Sequence, residues 1–251
     1  MLVACVQKPM LTYNEQQKAL ITFLVSQEKK YQQLGNEILK KEFITSHAQN
    51  LYTYADTSKV LINWFGFIND INTKESGETT AVEFVLSFPR NPFQESFFKK
   101  DCILFYCSHL VKTDSLCYDT IYNKIKNCGE GLGVYFDGVI RTKNNSEIFY
   151  HDSYRSMSYF PSSVYDFWIL DVKEESSPIS INLHNAINAC YAITEPLRLN
   201  YLGKITKEKS DSIHVALLPK FNTAKEKLTN EEKQYIGRLG TDLVYNFLYG
   251  D

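Results

Sequence analysis

The sequence predicts an α+β fold with an N-terminal helical segment, a small antiparallel β-barrel, and an α+β C-terminal part that ends in a long helix. Apolar residues recur at three- and four-residue steps over residues 13–51, then alternate at every second position, and return to helical spacing near the C-terminus. The predicted division is a tether at 1–12, a helical segment at 13–58, the barrel at 59–150 and the C-terminal region at 151–251.

Composition narrows the class of protein. The chain has 251 residues, enough for one large domain or two small ones. Lys and Arg number 27 against 29 Asp and Glu, and this balance argues against a general nucleic-acid binder. With 44% hydrophobic and 22% charged residues, global disorder is excluded. No apolar run approaches the roughly 20 residues that span a bilayer.

Residues 13–51 form an amphipathic helical segment with one buried face. Gly35 interrupts or kinks this run. The opposite face carries mainly Lys and Glu, which is typical of a solvated surface. The apolar stripe consists of Leu20, Phe23, Leu24, Tyr31, Leu34, Ile38 and Leu39.

A set of strands is predicted next, where the apolar period changes to two. The first strand begins at Val60 and continues through Trp64, with Gly66 marking a bulge or sharp bend. A turn at residues 74–77 joins it to a second strand, which ends at Pro89. The remaining predicted elements are a third strand at 101–107, a short amphipathic helix at 114–127, and a hairpin of strands 133–140 and 146–150.

This order of elements over residues 59–150 resembles the five-stranded OB-like barrel, which places its helix between the third and fourth strands. Two strand words are similar to those of uncharacterised bacterial barrel domains: W-x-G, at Trp64, and V-x-F-x-G, which contains Phe136. The resemblance implies the fold and no particular ligand. We expect Trp64 and Phe136 to lie in the structural core of the barrel.

The C-terminal region contains a predicted strand at 167–172, a helix at 179–190 and a strand at 213–218. Thr229 and Glu232 form a capping box that starts the final helix. Because its apolar stripe is wider than a narrow seam, this helix is predicted to bury two sides and is a candidate interaction surface. The stripe consists of Ile236, Leu239, Leu243 and Phe247, and it continues through Val244 and Leu248.

Residues 2–5, Leu-Val-Ala-Cys, resemble a bacterial lipobox, in which small residues precede a cysteine whose thiol receives a diacylglyceryl group. The resemblance implies lipidation at Cys5, and it requires a signal peptide upstream of Met1. Since Val6 is not an Asp, the likeness to enteric sorting rules implies the outer membrane. The alternative is a cytosolic protein whose first strand contains the same four residues.

No catalytic constellation is found, so we expect no enzyme, metal or cofactor. Residues 129–133 are glycine-rich, but a helix precedes them and a strand follows, the reverse of a phosphate-binding loop. No two histidines have metal-ligand spacing. Cys190 near His184 is weak grounds for a nucleophile. Of the remaining cysteines, only pairs from different elements, such as Cys107 with Cys128, can form a disulfide.

Two aromatic clusters favour nucleic-acid binding only weakly. Phe97, Phe98, Lys99 and Lys100 form one, and Phe149 with Tyr150 form the other, without an adjacent Lys or Arg. Oligonucleotide-binding barrels combine exposed aromatics with a basic groove, and packing in the core and rim explains these clusters more simply.

The resulting hypothesis is a non-enzymatic outer-membrane lipoprotein on the periplasmic face, acting as a structural or accessory subunit of an envelope assembly. Its partners would be other envelope proteins and, through the lipid anchor, the membrane. In size and layout it resembles accessory lipoproteins of Dot/Icm-type secretion core complexes. The alternative is a soluble cytosolic OB-like protein that binds a small ligand or single-stranded nucleic acid. A small hydrolase with dispersed carboxylates is the third hypothesis.

Overall fold

A closed five-stranded barrel forms the centre of the molecule, and helices pack against it. The computed structural model describes residues 13–58, 60–90, 102–143, 147–148 and 164–248. Its strands are β1 (Leu61–Ser76), β2 (Thr79–Pro89), β3 (Cys102–Lys112), β4 (Gly133–Ile140), β5 (Thr142–Lys143), β6 (Glu147–Ile148) and β7 (Val164–Lys173). Its helices are α1 (Glu15–Gln32), α2 (Glu37–Ser58), α3 (Thr120–Asn127), α4 (Ile181–Tyr201), α5 (Lys207–Glu226) and α6 (Asn230–Leu248), with a 3₁₀ turn at Thr113–Tyr118 before α3.

The strand order around the barrel is β1-β2-β3-β7-β4, and β4 pairs back with β1. The β3–β7 pair is parallel and the other four pairs are antiparallel. Helix α3 connects β3 to β4, as in an OB-like barrel. The predicted α+β fold class is therefore confirmed.

The fifth barrel strand is β7, which lies beyond the predicted barrel boundary at residue 150. The hairpin predicted from strands 133–140 and 146–150 is wrong in its first strand, because β4 pairs with β1 and β7, and the strand after the predicted turn pairs with β5 instead. Strand β6 covers only Glu147–Ile148 and pairs with the short β5 outside the barrel. Alternation along a strand identifies its two faces but does not identify its neighbours, and a parallel pair needs a long crossover connection.

Aromatic rings fill the barrel interior. Trp64 and Phe136 are fully buried there, as predicted from their strand words. Phe105 stacks on Phe167 with ring centroids 4.5 Å apart, and Trp64 meets Phe88 edge-on at 5.8 Å. These rings come from all five barrel strands, so the core itself ties β7 to the other four.

The irregular pairs of strand β1 do not include Gly66, so the bulge predicted at that glycine is wrong. The pairing shifts at two other places, which contain the left-handed residues Asn63 (φ 57°) and Asp70 (φ 53°). Asn and Asp adopt this conformation more readily than other residues with a Cβ. Gly66 pairs regularly with Val134, and a Cβ at Gly66 would lie 3.1 Å from the Phe136 ring. Close packing therefore explains the glycine.

Helices α1 and α2 meet at a short break around Gly35, as predicted. Helix α1 adds Leu20 and Leu24 to the barrel core. The buried side chain of Gln17 donates to the Phe65 carbonyl (2.7 Å) and accepts from the Phe65 N–H (3.0 Å). The glutamine side chain thus satisfies both backbone groups of Phe65, which lies before the first pair of β1 with β2.

The C-terminal helices form a second core on the outer side of β4 and β7. The predicted helix at 179–190 corresponds to α4, but the strand predicted at 213–218 lies within α5 and is wrong. Helix α5 is capped by Thr206, whose Oγ1 accepts a hydrogen bond from the Lys209 N–H. This cap starts a helix despite the alternating apolar residues that follow. The capping box of α6 is confirmed: Thr229 N–H donates to Glu232 Oε2 (2.9 Å) and Glu232 N–H to Thr229 Oγ1 (3.2 Å).

Candidate functional site

The barrel splits between the parallel strands β3 and β7. Their ladder pairs Leu104–Cys107 with Val164–Phe167 and ends there. Both strands continue, β3 alongside β2 as far as Lys112 and β7 alongside β4 as far as Lys173. Beyond the ladder the two strands therefore separate, and residues 108–112 keep β2 as their one strand neighbour within the described chain.

Helix α6 lies beside this split, and the space between them is a groove of about 880 Å³, here called the barrel–α6 groove. The groove lies on the face of the second and third strands, where OB-like barrels bind their ligands. Side chains from β1, β2, β3, β7, α6 and the start of the β4–β5 connection line it. The main ones are Lys74, Glu83, Tyr106, Ser108, Leu110, Arg141, Asp166, Trp168, Arg238, Thr241 and Asp242.

Charge in the groove is balanced, because Lys74, Arg141 and Arg238 face Glu83, Asp166 and Asp242. Two pairs lie on the barrel surface. Lys74 Nζ is 2.6 Å from a Glu83 oxygen, and Arg141 Nη1 is 3.8 Å from an Asp166 oxygen. The Arg141 guanidinium also lies 4.9 Å from the centre of the Trp168 ring. The barrel wall of the groove is thus neutral and aromatic in character.

Arg238 of α6 bonds to the backbone of β7. Its Nη2 donates to the carbonyl of Leu170 (2.8 Å), the residue that the β4–β7 pairing skips. Burial lowers the pKa of Arg238, and the carboxylates of Asp119, Asp171 and Asp242 oppose that shift. Burial also raises the pKa of Asp242 to about 7, although Arg238 and Arg141 favour its charged form. Arg238 therefore satisfies a β7 carbonyl, and it shares a buried charged environment with Asp242.

Along the same stretch, part of the β3 backbone has no described partner. Ser108–Lys112, here called the open β3 edge, makes no backbone hydrogen bond in the described chain other than those of its ladder with β2. Side chains alternate along it: Val111 is buried, whereas Ser108 and Leu110 point outward and line the groove. Leu110 is 68% exposed. An apolar side chain and an unpaired strand edge therefore face the same groove.

A smaller cavity of about 260 Å³ lies on the other side of Arg238 and contains an ion-pair network. Lys124 of α3 contacts Asp171 of β7 and Glu231 of α6, each at 2.7 Å. Lys173 Nζ lies 2.9 Å from a carboxylate oxygen of the fully buried Asp137. Burial raises the pKa of Asp137, and the charge of Lys173 only partly opposes that rise. These pairs join α3, β4, β7 and α6, so the network serves to hold α6 against the barrel.

Two residues of the candidate surface on α6 point inward: Ile236 and Leu239 are buried in the core that α6 shares with α4 and the outer side of the barrel. Leu243 is half-buried beside them, so a contact there with a partner stays a prediction. The side chain of Phe247, the lipidation candidate Cys5, and the aromatic clusters at 97–100 and 149–150 lie outside the described residues.

The described chain shows where the candidate metal ligands, the cysteine pair and the glycine-rich segment lie. No group of three His, Cys, Asp or Glu side chains there can hold a metal ion. The five cysteines from Cys102 to Cys190 are free thiols, so Cys107 and Cys128 are not bonded. Gly131 N–H donates to the Ile68 carbonyl (2.7 Å), which makes the glycine-rich segment a turn against β1.

No protein-family model, curated protein or solved structure matches the chain. None of the described helices has the length and apolar character needed to cross a membrane. The geometry of the barrel–α6 groove is therefore the basis for assigning a function.

Proposed function

We propose that this is a non-enzymatic binding protein that holds part of a partner protein in the barrel–α6 groove, as a structural or accessory subunit of a larger assembly. The observation that carries the proposal is the groove of about 880 Å³ on the ligand-binding face of an OB-like barrel, with three cationic and three anionic side chains.

The balance of charge favours a polypeptide over a polyanion. Grooves that bind single-stranded nucleic acid are positively charged and present free aromatic faces for base stacking. Here the guanidinium of Arg141 already lies against Trp168, and Glu83, Asp166 and Asp242 offset the cations. A protein segment with side chains of both signs matches such a lining.

Ion pairs along the barrel wall give the groove fixed charges for recognition. Lys74 pairs with Glu83, and Arg141 pairs with Asp166. Side chains held in such pairs supply specific contacts to a ligand.

We further propose that a lipid on Cys5 attaches the protein to the periplasmic face of the outer membrane. The support is the lipobox-like sequence at residues 2–5. The described chain begins at Tyr13, and the eight residue-to-residue steps from Cys5 to Tyr13 reach at most about 30 Å when extended. Such a tether would keep the barrel close to the bilayer, where other envelope proteins would be its partners.

Photo-crosslinking in the native host tests the proposed groove. A photoreactive amino acid at Leu110 (68% exposed) should give a protease-sensitive adduct of defined mass, while the same group at Val215 of α5 (66% exposed) should not. Equal labelling at both positions would contradict a specific site. A nuclease-sensitive adduct at Leu110 would show that the groove binds nucleic acid and not a partner protein.

A further inference from the structure

We infer that the partner segment binds in an extended conformation and adds as a new strand to the open β3 edge, residues 108–112. This inference rests on the proposed function and specifies how the same groove recognises its partner.

The first support is that one side of β3, at residues 108–112, has no hydrogen-bonding partner in the described chain. Its ladder with β2 runs the full length of the strand, from Cys102 to Lys112, and occupies one side. On the other side the ladder with β7 covers only Leu104–Cys107. Backbone N–H and C=O groups require partners, and an unpaired strand edge is a template for another extended chain. The open β3 edge has this character.

The second support is that no described group bonds the backbone of the open β3 edge outside its ladder with β2. Helix α3 packs against both β3 and β7, but its ion pairs with them join side chains, Asp119 with His109 and Lys124 with Asp171. Helix α6 lies across the groove and does not fill it. Five residues in extended conformation span about 17 Å, the length of an ordinary short strand.

The third support is the side chains on either side of the edge. Leu110 provides an outward apolar contact, and an added strand would place every second side chain on the same face as Leu110. The charged groups of the groove wall, Arg141 with Asp166 and Arg238 with Asp242, suit a segment that carries both signs. The fitting occupant is therefore an extended segment of a partner protein with alternating apolar and charged residues.

The test uses a library of random 12-residue peptides displayed on phage and selected on the full-length protein. A selected peptide should slow amide hydrogen exchange in residues 108–112 at least tenfold. N-methylation of the peptide should weaken binding tenfold or more at every second position and less than twofold between them, because alternate N–H groups of a strand face the same neighbour.

Matched variants localise the binding. Leu110→Arg should abolish peptide binding, while Val215→Arg, at an equally exposed position, should retain it. Both variants should keep the wild-type urea midpoint, so that loss of binding reports the groove and not unfolding.

The results that would contradict strand addition differ from those that would contradict the proposed function. If peptides bind but neither the exchange protection nor the alternating N-methyl effect appears, strand addition is wrong and the proposed function stands. If self-association is lost in Leu110→Arg while no peptide binds, the occupant is a second copy of this chain and the inference fails. If no peptide binds and the Leu110 crosslink is to nucleic acid, both proposals fail.

Discussion

The indole of Trp64 occupies the centre of the barrel, where it contacts the rings of Phe88, Phe105 and Phe136. Its Nε1–H donates to Gln16 Oε1 of α1 at 2.9 Å, so its one polar atom is also satisfied. The side chain therefore joins the barrel strands to the N-terminal helix.

Replacing Trp64 with Ala should destabilise the protein by about 3–5 kcal/mol, because a large cavity would open among packed rings. The measurement is the urea midpoint followed by far-UV circular dichroism. Trp168→Ala is the matched control, since that ring is only partly buried in the groove wall and its loss should cost much less. An unchanged midpoint for Trp64→Ala would contradict the register of β1.

A second residue links stability to pH. His47 of α2 is buried and lies between Phe23 and Phe43, with ring centroids 5.8 Å and 6.5 Å away. Burial lowers the pKa of His47 to about 4. Because an unfolded histidine has a pKa of about 6.5, the unfolded state binds a proton between these values that the folded state does not.

Stability should therefore fall as the pH drops through this window, by on the order of 2 kcal/mol between pH 7 and pH 5 from His47 alone. Urea midpoints at the two pH values measure the loss. His47→Phe keeps an aromatic ring in the stack and should remove the share of this stability loss that comes from protonation of His47. A variant that loses as much stability as the wild type would show that other groups are responsible.

At the scale of elements, α6 serves both the core and the groove. Ile236 and Leu239 pack inward, whereas Arg238 and Asp242 line the groove. One helix thus fixes the distance between the groove wall and the barrel, so damage to its packing should also reach the binding site.

Leu239→Ala should destabilise the protein by about 2–5 kcal/mol, while Val215→Ala on the exposed face of α5 should stay within about 0.5 kcal/mol. Deletion of residues 229–251 should expose the second core and cause aggregation, measured by light scattering. A truncated protein that remains monomeric and equally stable would contradict the packing role of α6.

The sequence pattern predicted those elements that are determined by residues close together in the chain. The alternation in β1 and β2 and the capping box at Thr229 each act within a few residues and were recognisable. The strand expected at 213–218 was wrong, because its alternation is equally compatible with a helix packed on α4. The role of β7 as fifth barrel strand depends on pairing with β3, which is about 60 residues earlier in the chain.

The groove could not be predicted, since its lining comes from distant parts of the chain, from Lys74 to Asp242. None of these side chains forms a sequence motif. The open β3 edge exists because the ladder between β7 and β3 ends at Cys107. The residues of β3 alone do not indicate where that ladder ends.

At the scale of the whole molecule, the main prediction concerns its location. If Cys5 is lipidated, Cys5→Ser should abolish labelling by a palmitate analogue and release the protein from membranes, when the gene is expressed with its native upstream region. Cys117→Ser, which removes an exposed thiol in the described chain, should change neither result.

Attachment of the wild type should resist salt and alkaline washing, because two or more acyl chains hold a protein stably whereas one gives an association constant of only about 10⁴ M⁻¹. Wild-type protein that is unlabelled and found in the cytosol would refute the lipoprotein hypothesis. The soluble binding protein would then be the better interpretation.

The late position of β7 also sets the order in which the molecule can be made. Four barrel strands are complete once residue 140 has been synthesised, yet the ring cannot close until residue 173 follows. At 5–20 residues per second, this leaves about 2 to 7 s in which β3 and β4 are both unpaired on one side. During that time the nascent chain exposes two strand edges and the aromatic face of an unfinished core, and binding by a chaperone would protect it most.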